Sequence, residues 1–598
     1  MTDYGATRSL TAMFLDQAGR MGDRPFLWAK RDGTWRPLSW AQAADTALAL
    51  AGGLRALGLA GGDRVMLVSE NRPEWAIADI AAMAAGGITV PSYVTNTPAE
   101  HLHILNNSGA RFVVVSTRAL ADKVITAAWQ ADHPPTVICI EPPRLAQAGP
   151  GLRLASWDEV VATGAGHQDD VRRVVAATRR DDTACLIYTS GTGGAPKGVM
   201  QSHGSVLADC MGAHALLASF GLGDESFLSF LPLSHAYEHT VGLWFPISIG
   251  AQIHYAESID ALAANMAEVR PTIMTAVPRL YESMRARILR AVQRQGGMKE
   301  KLFMAAVRLG ASRYERGRLG PLAALRDRAL ERLVRDKVRQ RFGGRLKALV
   351  SGGAPLSYEV GLFFTALGVR ILQGYGQTEA GPAVSCSPPG KVKIDTVGPP
   401  LAGIEVRIAE DGEILIRGEV VMQGYWRDPE ATARAIGDGG WLRTGDIGEI
   451  DSDGYIRITD RKKDIIVNSG GDNVSPQRVE GFLTVQPEIL QAMVHGDRRP
   501  HLVALIVPSP DWAEAWAKDN GKPADPAVLV ADPDFRRTVS QAVDRVNRQL
   551  STIEKVRRFV LTPEPFTIDN GMLTPTLKIK RHVIRAHHGA ELERLYGE

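Results

Sequence analysis

From about Leu10 to Ile140 the chain alternates Ala/Leu-rich helical stretches with short β-branched runs, such as Arg64-Val65-Met66-Leu67-Val68 and Arg111-Phe112-Val113-Val114-Val115. This alternation predicts an α/β layer with parallel strands. At 598 residues the chain is longer than a single core supports, so two or more domains are expected.

A further apolar run, Ala184-Cys185-Leu186-Ile187-Tyr188, reads as a buried strand. It leads directly into Thr189-Ser190-Gly191-Thr192-Gly193-Gly194-Ala195-Pro196-Lys197-Gly198. Glycines let backbone N–H groups approach an anion, the hydroxyls add donors, and Lys197 adds a point charge. The stretch suits a polyphosphate. It is not a Walker A loop, because Pro196 precedes the lysine and Gly198 follows it, nor the dinucleotide fingerprint, because Pro196 takes the place of the third glycine. A flexible surface loop of small residues is the plain alternative.

The same α/β character runs to about Pro400, broken between Tyr281 and Arg341 by long helices carrying 17 Lys/Arg against 6 Asp/Glu. Within that insert Leu322, Leu325, Ala329 and Leu333 recur at helical spacing, giving one apolar face and one mainly arginine face. A basic helical face can adhere to an anionic membrane surface, but charge runs commonly serve solubility and a solvated face is the reading favoured from sequence. After Pro400 short strands and turns predict a small antiparallel unit. The charged link Asp460-Arg461-Lys462-Lys463-Asp464 then precedes a new strand, which places a boundary between 1–460 and 461–598.

The four cysteines, Cys139, Cys185, Cys210 and Cys386, are far apart and form no CxxC pair, so they read as core residues in a reducing compartment. The beginning Met1-Thr2-Asp3-Tyr4-Gly5 lacks a basic segment followed by an apolar one, and no apolar run approaches a membrane span. A cytoplasmic, non-spanning protein is expected, with peripheral contact at the inner membrane face left open. A net charge of +3 argues neither for nor against nucleic acid; the motifs below lead us to expect no such partner.

Polar groups recur where strands end, the usual ligand position in open α/β sheets. Val350-Ser351-Gly352-Gly353-Ala354-Pro355 follows one apolar run, Gln373-Gly374-Tyr375-Gly376-Gln377-Thr378-Glu379 follows another, and Trp441-Leu442-Arg443-Thr444-Gly445-Asp446 adds a lone carboxylate. With the glycine-rich loop, these resemble the adenylate-forming (AMP-binding) superfamily over nearly the whole chain, in order and spacing. The resemblance implies a large layered α/β N-terminal domain and a smaller mobile α+β C-terminal domain.

It also implies roles. Thr189, Ser190, Gly191, Thr192, Gly193, Gly194 and Lys197 would grip the β- and γ-phosphates of ATP, and Thr192 and Glu379 would bind Mg²⁺. Tyr375, within Gly374, Gly376, Gln377 and Thr378, would stack on adenine beside Gly353, Ala354 and Pro355. Asp446 would accept from the ribose hydroxyls, and Arg461 would contact ribose and phosphate. In Leu573-Thr574-Pro575-Thr576-Leu577-Lys578-Ile579-Lys580-Arg581, the catalytic lysine would be Lys578, with Lys580 as the alternative. Lys463 would be the hinge, and Gly470, Gly471 and Asn473 would line the path of CoA. Gly193 departs from the Thr or Ser usual at its position, which removes one hydroxyl.

Within the superfamily the likeness is to long-chain fatty acid CoA ligases, through Phe230-Leu231-Pro232-Leu233-Ser234-His235, Val277-Pro278-Arg279-Leu280-Tyr281-Glu282 and above all the basic helical insert at about 282–341. His235 would lie near the acyl pocket. The H-x-x-E-H spacing of His235, Glu238 and His239 is rejected as a zinc site, since Pro232 and Ser234 put His235 at a loop start and no third ligand is apparent. The expectation is an ATP-dependent, Mg²⁺-requiring ligase that makes acyl-CoA. Alternatives are a ligase for another acid (medium-chain or aryl), one that loads a carrier protein, or a silent nucleotide- or lipid-binding relative.

Overall fold

The computed structural model describes residues 2–143, 151–189, 195–470, 472–574 and 578–597. Two eight-stranded sheets form the large body. The first runs, in spatial order, through Gly424–Tyr425, Lys197–Ser202, Thr183–Thr189, Ile88–Ser92, Arg64–Val68, Phe112–Val115, Thr136–Cys139 and Arg153–Ser156. The strands from Ile88 to Ser156 pair in parallel, as the alternation predicts. Lys197–Ser202 instead runs antiparallel to Thr183–Thr189, with Thr189 opposite Lys197, because seven intervening residues suffice only for a hairpin.

The second sheet takes its parallel strands Ser226–Ser229, Gln252–Tyr255, Ile273–Ala276, Ala348–Ser351 and Ile371–Tyr375 from the middle of the chain. Its far edge is the early hairpin Pro25–Arg31 and Thr34–Ser39, which joins parallel to Gln252–Tyr255. One core cluster spans both sheets, and within it Phe26 stacks on Trp40 at 3.7 Å.

Local signals set where several helices begin. Ser39, Thr97 and Ser156 each open a helix with a complete capping box, closed by Gln42, Glu100 and Glu159. Helices Trp40–Ala56 and Trp157–Gly164 cross so closely that a Cβ at Gly53 would sit 1.9 Å from the Val160 carbonyl oxygen, and one at Gly164 1.8 Å from that of Ala49. Only glycine fits either position.

The basic insert forms helices Pro278–Gln295, Gly297–Arg316 and Pro321–Leu330, then the π-helical turn Glu331–Arg335 and helix Asp336–Arg341. Its apolar line Leu322, Leu325, Ala329, Leu333 faces solvent, with the three leucines 77%, 67% and 52% exposed. Leu330, Val334 and Val338 face the core in its place. Arg335 is buried among the Asp327 and Glu331 carboxylates and three backbone carbonyls, which fixes that choice.

Four antiparallel strands, Glu405–Ile408, Glu413–Arg417, Leu442–Ile450 and Ile456–Arg461, make the small β unit expected after Pro400. From Ile466 onward a mixed three-stranded sheet, Ile489–His495, Leu502–Pro508 and Val556–Leu561, carries helices on its faces and has cores of its own. This smaller body touches the basic insert where Arg279 Nη1 donates to the Leu490 carbonyl at 3.3 Å and Arg290 pairs with Asp511.

Candidate active site

A cleft of about 3120 Å³ is lined by the large body, the β unit and the smaller body. Thr189, Lys197, His235, Gly353, Ala354, Pro355, Gly374, Tyr375, Gly376, Gln377, Thr378, Glu379, Asp446, Arg461, Lys463, Asn473 and Lys578 all line it. The structure therefore brings together segments spread over nearly 400 positions. Ser190, Gly191, Thr192, Gly193, Gly194 and Gly471 lie outside the described residues. Gly470 stands on an exposed turn, where its N–H donates to Asn468 Oδ1 at 2.9 Å, and does not line the cleft.

At one end Tyr375, the last residue of its strand, donates from its hydroxyl to Asp446 Oδ2 at 2.7 Å, with both side chains buried. Arg461 Nε lies 3.2 Å from Asp446 Oδ1, and the two residues are register partners across adjacent strands. The carboxylate that looks isolated in the sequence is thus held at both oxygens. Gly376 passes so near the neighbouring loop that a Cβ there would lie 1.8 Å from the Pro382 carbonyl oxygen.

At the other end Glu379 accepts from the Tyr425 hydroxyl at 2.9 Å. Lys197 Nζ lies 2.9 Å from Asp428 Oδ2 and 5.1 Å from the centre of the Tyr425 ring. Sequence reasoning missed Tyr425 and Asp428. The Asp428-Pro429 pair does signal a helix start, and Asp428 caps Pro429–Ala435, but nothing local announces a partner 231 positions earlier.

Lys578 reaches between the two ends from the smaller body. Its N–H donates to Thr574 Oγ1 at 3.0 Å, and its carbonyl accepts from the Thr574 N–H at 2.8 Å, a pair that braces the segment. Burial and then the Arg461 guanidinium pull its ammonium down to about 8, against Asp446 and Glu379, which favour the charge. Lys580 also lines the cleft, and its backbone N–H donates to the Met572 carbonyl at 2.8 Å.

His235 is recessed beside the apolar part of the cleft, formed by Phe230, Leu231, Val241, Met266, Leu280 and Met284. Burial, with Lys578 adding to it, pushes the imidazole down to about 3, so it is neutral at physiological pH. Its Nδ1 accepts from the Tyr237 N–H at 3.1 Å. The other members of the H-x-x-E-H spacing point elsewhere. His239 Nε2 meets Asp79 Oδ2 at 2.9 Å in the core. Glu238, fully buried at the start of the π-helical turn Glu238–Trp244, accepts from Ser229 Oγ at 2.7 Å and Thr275 Oγ1 at 2.5 Å. Desolvation raises its carboxyl to about 7.

The hinge candidate Lys463 is exposed in the turn after Arg461 and makes no ion pair among the described residues, whereas Lys462 binds Asp411 and Glu413. No helix of the described chain is long and apolar enough to cross a membrane.

The donors around the Glu379 end are hard oxygens, with the carboxylates of Glu379 and Asp428 among them, and the described residues hold no group of three His, Cys, Asp or Glu fit for a metal. Such a set fits Mg²⁺, which keeps several waters and takes oxygens from a bound phosphate.

Comparison with known proteins agrees with this geometry. Residues 14–426 match the AMP-binding enzyme family and 463–598 match the AMP-binding enzyme C-terminal domain. The chain is 36% identical to the long-chain-fatty-acid–CoA ligase FadD15 of Mycobacterium bovis, over 95% of this chain and 93% of that one. It is 31% identical to the peroxisomal long chain acyl-CoA synthetase 7 of Arabidopsis thaliana, over 95% and 83%. Among solved structures, the adenylation domain of a carboxylate reductase from Mycobacterium chelonae superposes with a TM-score of 0.76 at 22% identity, covering 99% of this chain and 91% of that one. That of Segniliparus rugosus, in complex with AMP and a co-purified carboxylic acid, gives 0.75 at 22%, covering 99% and 94%. The two matched regions take in both bodies but not residues 427–462, where Asp446 and Arg461 stand, and the chain belongs to the AMP-binding enzyme family.

Proposed function

We propose that the protein is an AMP-forming acid–thiol ligase that activates a long-chain fatty acid with ATP and passes the acyl group to CoA. The observation that carries this reading is Lys578, poised between Arg461, Asp446 and Glu379 on one side and His235 with an apolar pocket on the other. The names of the relatives supply the acid and the thiol.

In the first step a carboxylate oxygen of the acid attacks the α-phosphorus, and the bond to the β-phosphate oxygen breaks to release diphosphate. Anion meets anion, so preorganised positive charge at the phosphorane is the main catalytic demand. Lys578 and Arg461 supply it, while His235 stays neutral and adds no competing charge. Mg²⁺, held by Glu379 and by Thr192, would offset charge on the phosphates. Tyr375 with Gly353, Ala354 and Pro355 would flank the adenine, and Asp446 would take the ribose hydroxyls. In the second step the CoA thiol gives up its proton to solvent and its sulfur bonds to the acyl carbon, while the bond from that carbon to the phosphate oxygen breaks and AMP leaves with the oxygen. Rotation about Lys463 would bring Gly470, Gly471 and Asn473 to the path of the thiol.

The acid would be met at an anionic bilayer. Arg313, Arg335 and Arg339 take up Asp327, Glu331 and Asp336, so all three acids between 317 and 341 are paired. Arg326, Arg328, Arg332 and Lys337 make no ion pair among the described residues, and they border the exposed leucine line. An apolar line edged by free cations suits a lipid interface. Co-sedimentation with phosphatidylglycerol vesicles tests this contact: Leu322→Glu with Leu325→Glu should abolish it, and retained binding would refute it.

Incubation with ATP, Mg²⁺ and palmitate, with and without CoA, tests the reaction. AMP and thioester are expected. Absence of adenylate under both conditions would overturn the enzyme reading, and adenylate without thioester would point to a carrier protein as acceptor.

A further inference from the structure

The phosphate end holds a feature that the proposed reaction leaves unexplained. Its two charged groups, Lys197 and Glu379, are both already engaged, and both by one short segment. Gly424–Tyr425 adds as an edge strand to Lys197–Ser202, with Tyr425 opposite Val199 and Gly424 opposite Met200. The Trp426 N–H then donates to the Gly198 carbonyl at 2.7 Å. This docking fixes the segment to the strand that carries Lys197. Arg427, at φ 55°, is one of four non-glycine residues with positive φ among the described residues, and it turns the chain between Trp426 and Asp428. Strained residues of this kind persist where the surroundings over-determine them. Here the surroundings include Arg427 Nη1 donating to the Asn107 carbonyl at 3.1 Å.

Beyond that turn, Asp428 divides its carboxylate. One oxygen, Oδ1, accepts from the Ala431 N–H at 2.9 Å and caps the helix; the other, Oδ2, meets Lys197 Nζ at 2.9 Å. Tyr425 divides its side chain likewise, the ring face under Lys197 and the hydroxyl on Glu379.

We propose that this turn is a resident clasp on the phosphate end, in which Asp428 is a positioning residue that holds Lys197 in the nucleotide-free protein and yields it to the polyphosphate of ATP. The proposal rests on the ligase reading and adds to it a group that opposes binding of the phosphates. Both partners are partly exposed, with side chains at 43% and 34%, and ion pairs of that kind are weak enough for a polyphosphate to displace. Once displaced, the Asp428 carboxylate still faces the incoming anion and repels it. The same repulsion favours departure of diphosphate after the acid has been adenylated. Asp428 therefore trades ATP affinity for product release.

Asp428→Asn and Asp428→Ser test this, because both side chains cap helices as well as aspartate does and neither carries charge. Calorimetry with the full chain and Mg²⁺ would compare α,β-methylene-ATP, which has all three phosphates, with AMP, which lacks the two that meet Lys197. Both variants are expected to bind the ATP analogue roughly three- to tenfold more tightly than the unaltered protein, with AMP affinity unchanged. Inhibition by diphosphate should tighten by a similar factor. Equal or weaker binding of the analogue by both variants would overturn the clasp, as would tightening that is the same for AMP, which would mark a general structural effect. Failure of the unaltered protein to bind either nucleotide would instead refute the ligase reading.

Discussion

Two tyrosine–carboxylate hydrogen bonds stand at opposite ends of the cleft, and they differ in a way that explains the site. Tyr375 and Asp446 meet at 2.7 Å with both side chains buried, between a strand of the second sheet and a strand of the β unit. Tyr425 and Glu379 meet at 2.9 Å, half-buried, between an edge strand and a loop. The first pair sits where the nucleoside is proposed to lie, and its partners are locked by register. The second sits where phosphates and metal are proposed to arrive, and its partners must rearrange when they do. Rigid groups can be buried, whereas groups that exchange partners are left accessible.

Lys578 joins the two ends, so removing it is expected to have the largest effect. Lys578→Ala should slow adenylate formation by roughly a hundred- to a thousandfold, the usual consequence of losing a preorganised donor at a developing charge. Thioester formation from pre-made acyl adenylate should be retained, and single-turnover assays of the two half-reactions separate them. The pH dependence carries the same information. In the proposed role the lysine acts as a cation, and its ammonium is held near 8, so adenylation should fall as pH rises through about 8 and plateau below it. Lys578→Arg, whose guanidinium stays charged throughout, should flatten that alkaline limb even if its rate is lower. An unchanged limb would assign the titration to another group.

Tyr375→Phe is expected to come next. It leaves Asp446 buried with one oxygen unpaired, and hydrogen bonds to charged groups contribute about 1.5–3 kcal/mol. If that stabilisation reaches the nucleoside subsite, the KM for ATP should rise tenfold or more, with AMP affinity lowered in parallel. A change confined to thermal stability would separate Asp446 from nucleotide binding.

The Tyr375–Asp446 end of the cleft was legible in the sequence and the Lys197–Glu379 end only in part. Tyr375, Asp446 and Arg461 lie at or near strand ends, and an apolar strand followed by polar residues is a local pattern. Lys197 was equally visible, but its partner Asp428 is defined by an edge strand added 231 positions later and by a positive φ at Arg427, neither of which leaves a periodic trace. The basic insert shows the same limit. Periodicity found the leucine line at 322, 325 and 333, yet a second apolar line at 330, 334 and 338 shares those helices, and the buried Arg335 network decides which one packs. The large-body strands were legible because they are apolar on both faces. The place of the early hairpin Pro25–Ser39 at the edge of the second sheet was not, since a strand's sequence does not name its neighbour.

The smallest effect is expected for Tyr425→Phe, which is also the sharpest test of the contrast. The substitution keeps the ring under Lys197, with its centre 5.1 Å from Nζ, and removes only the hydroxyl that Glu379 accepts. Because that carboxylate is half-buried, water can replace the lost donor, and the net loss should be about 0.5–1.5 kcal/mol. Freed of one partner, Glu379 should be a slightly better metal ligand, so the Mg²⁺ concentration for half-maximal adenylation should fall by roughly two- to fivefold, with the KM for the fatty acid unchanged. Titration of Mg²⁺ at saturating ATP reads this directly. If Tyr425→Phe matched Tyr375→Phe in size and acted on nucleoside affinity, the two ends would be one rigid unit, and the distinction between a locked nucleoside subsite and an exchanging phosphate subsite would fall.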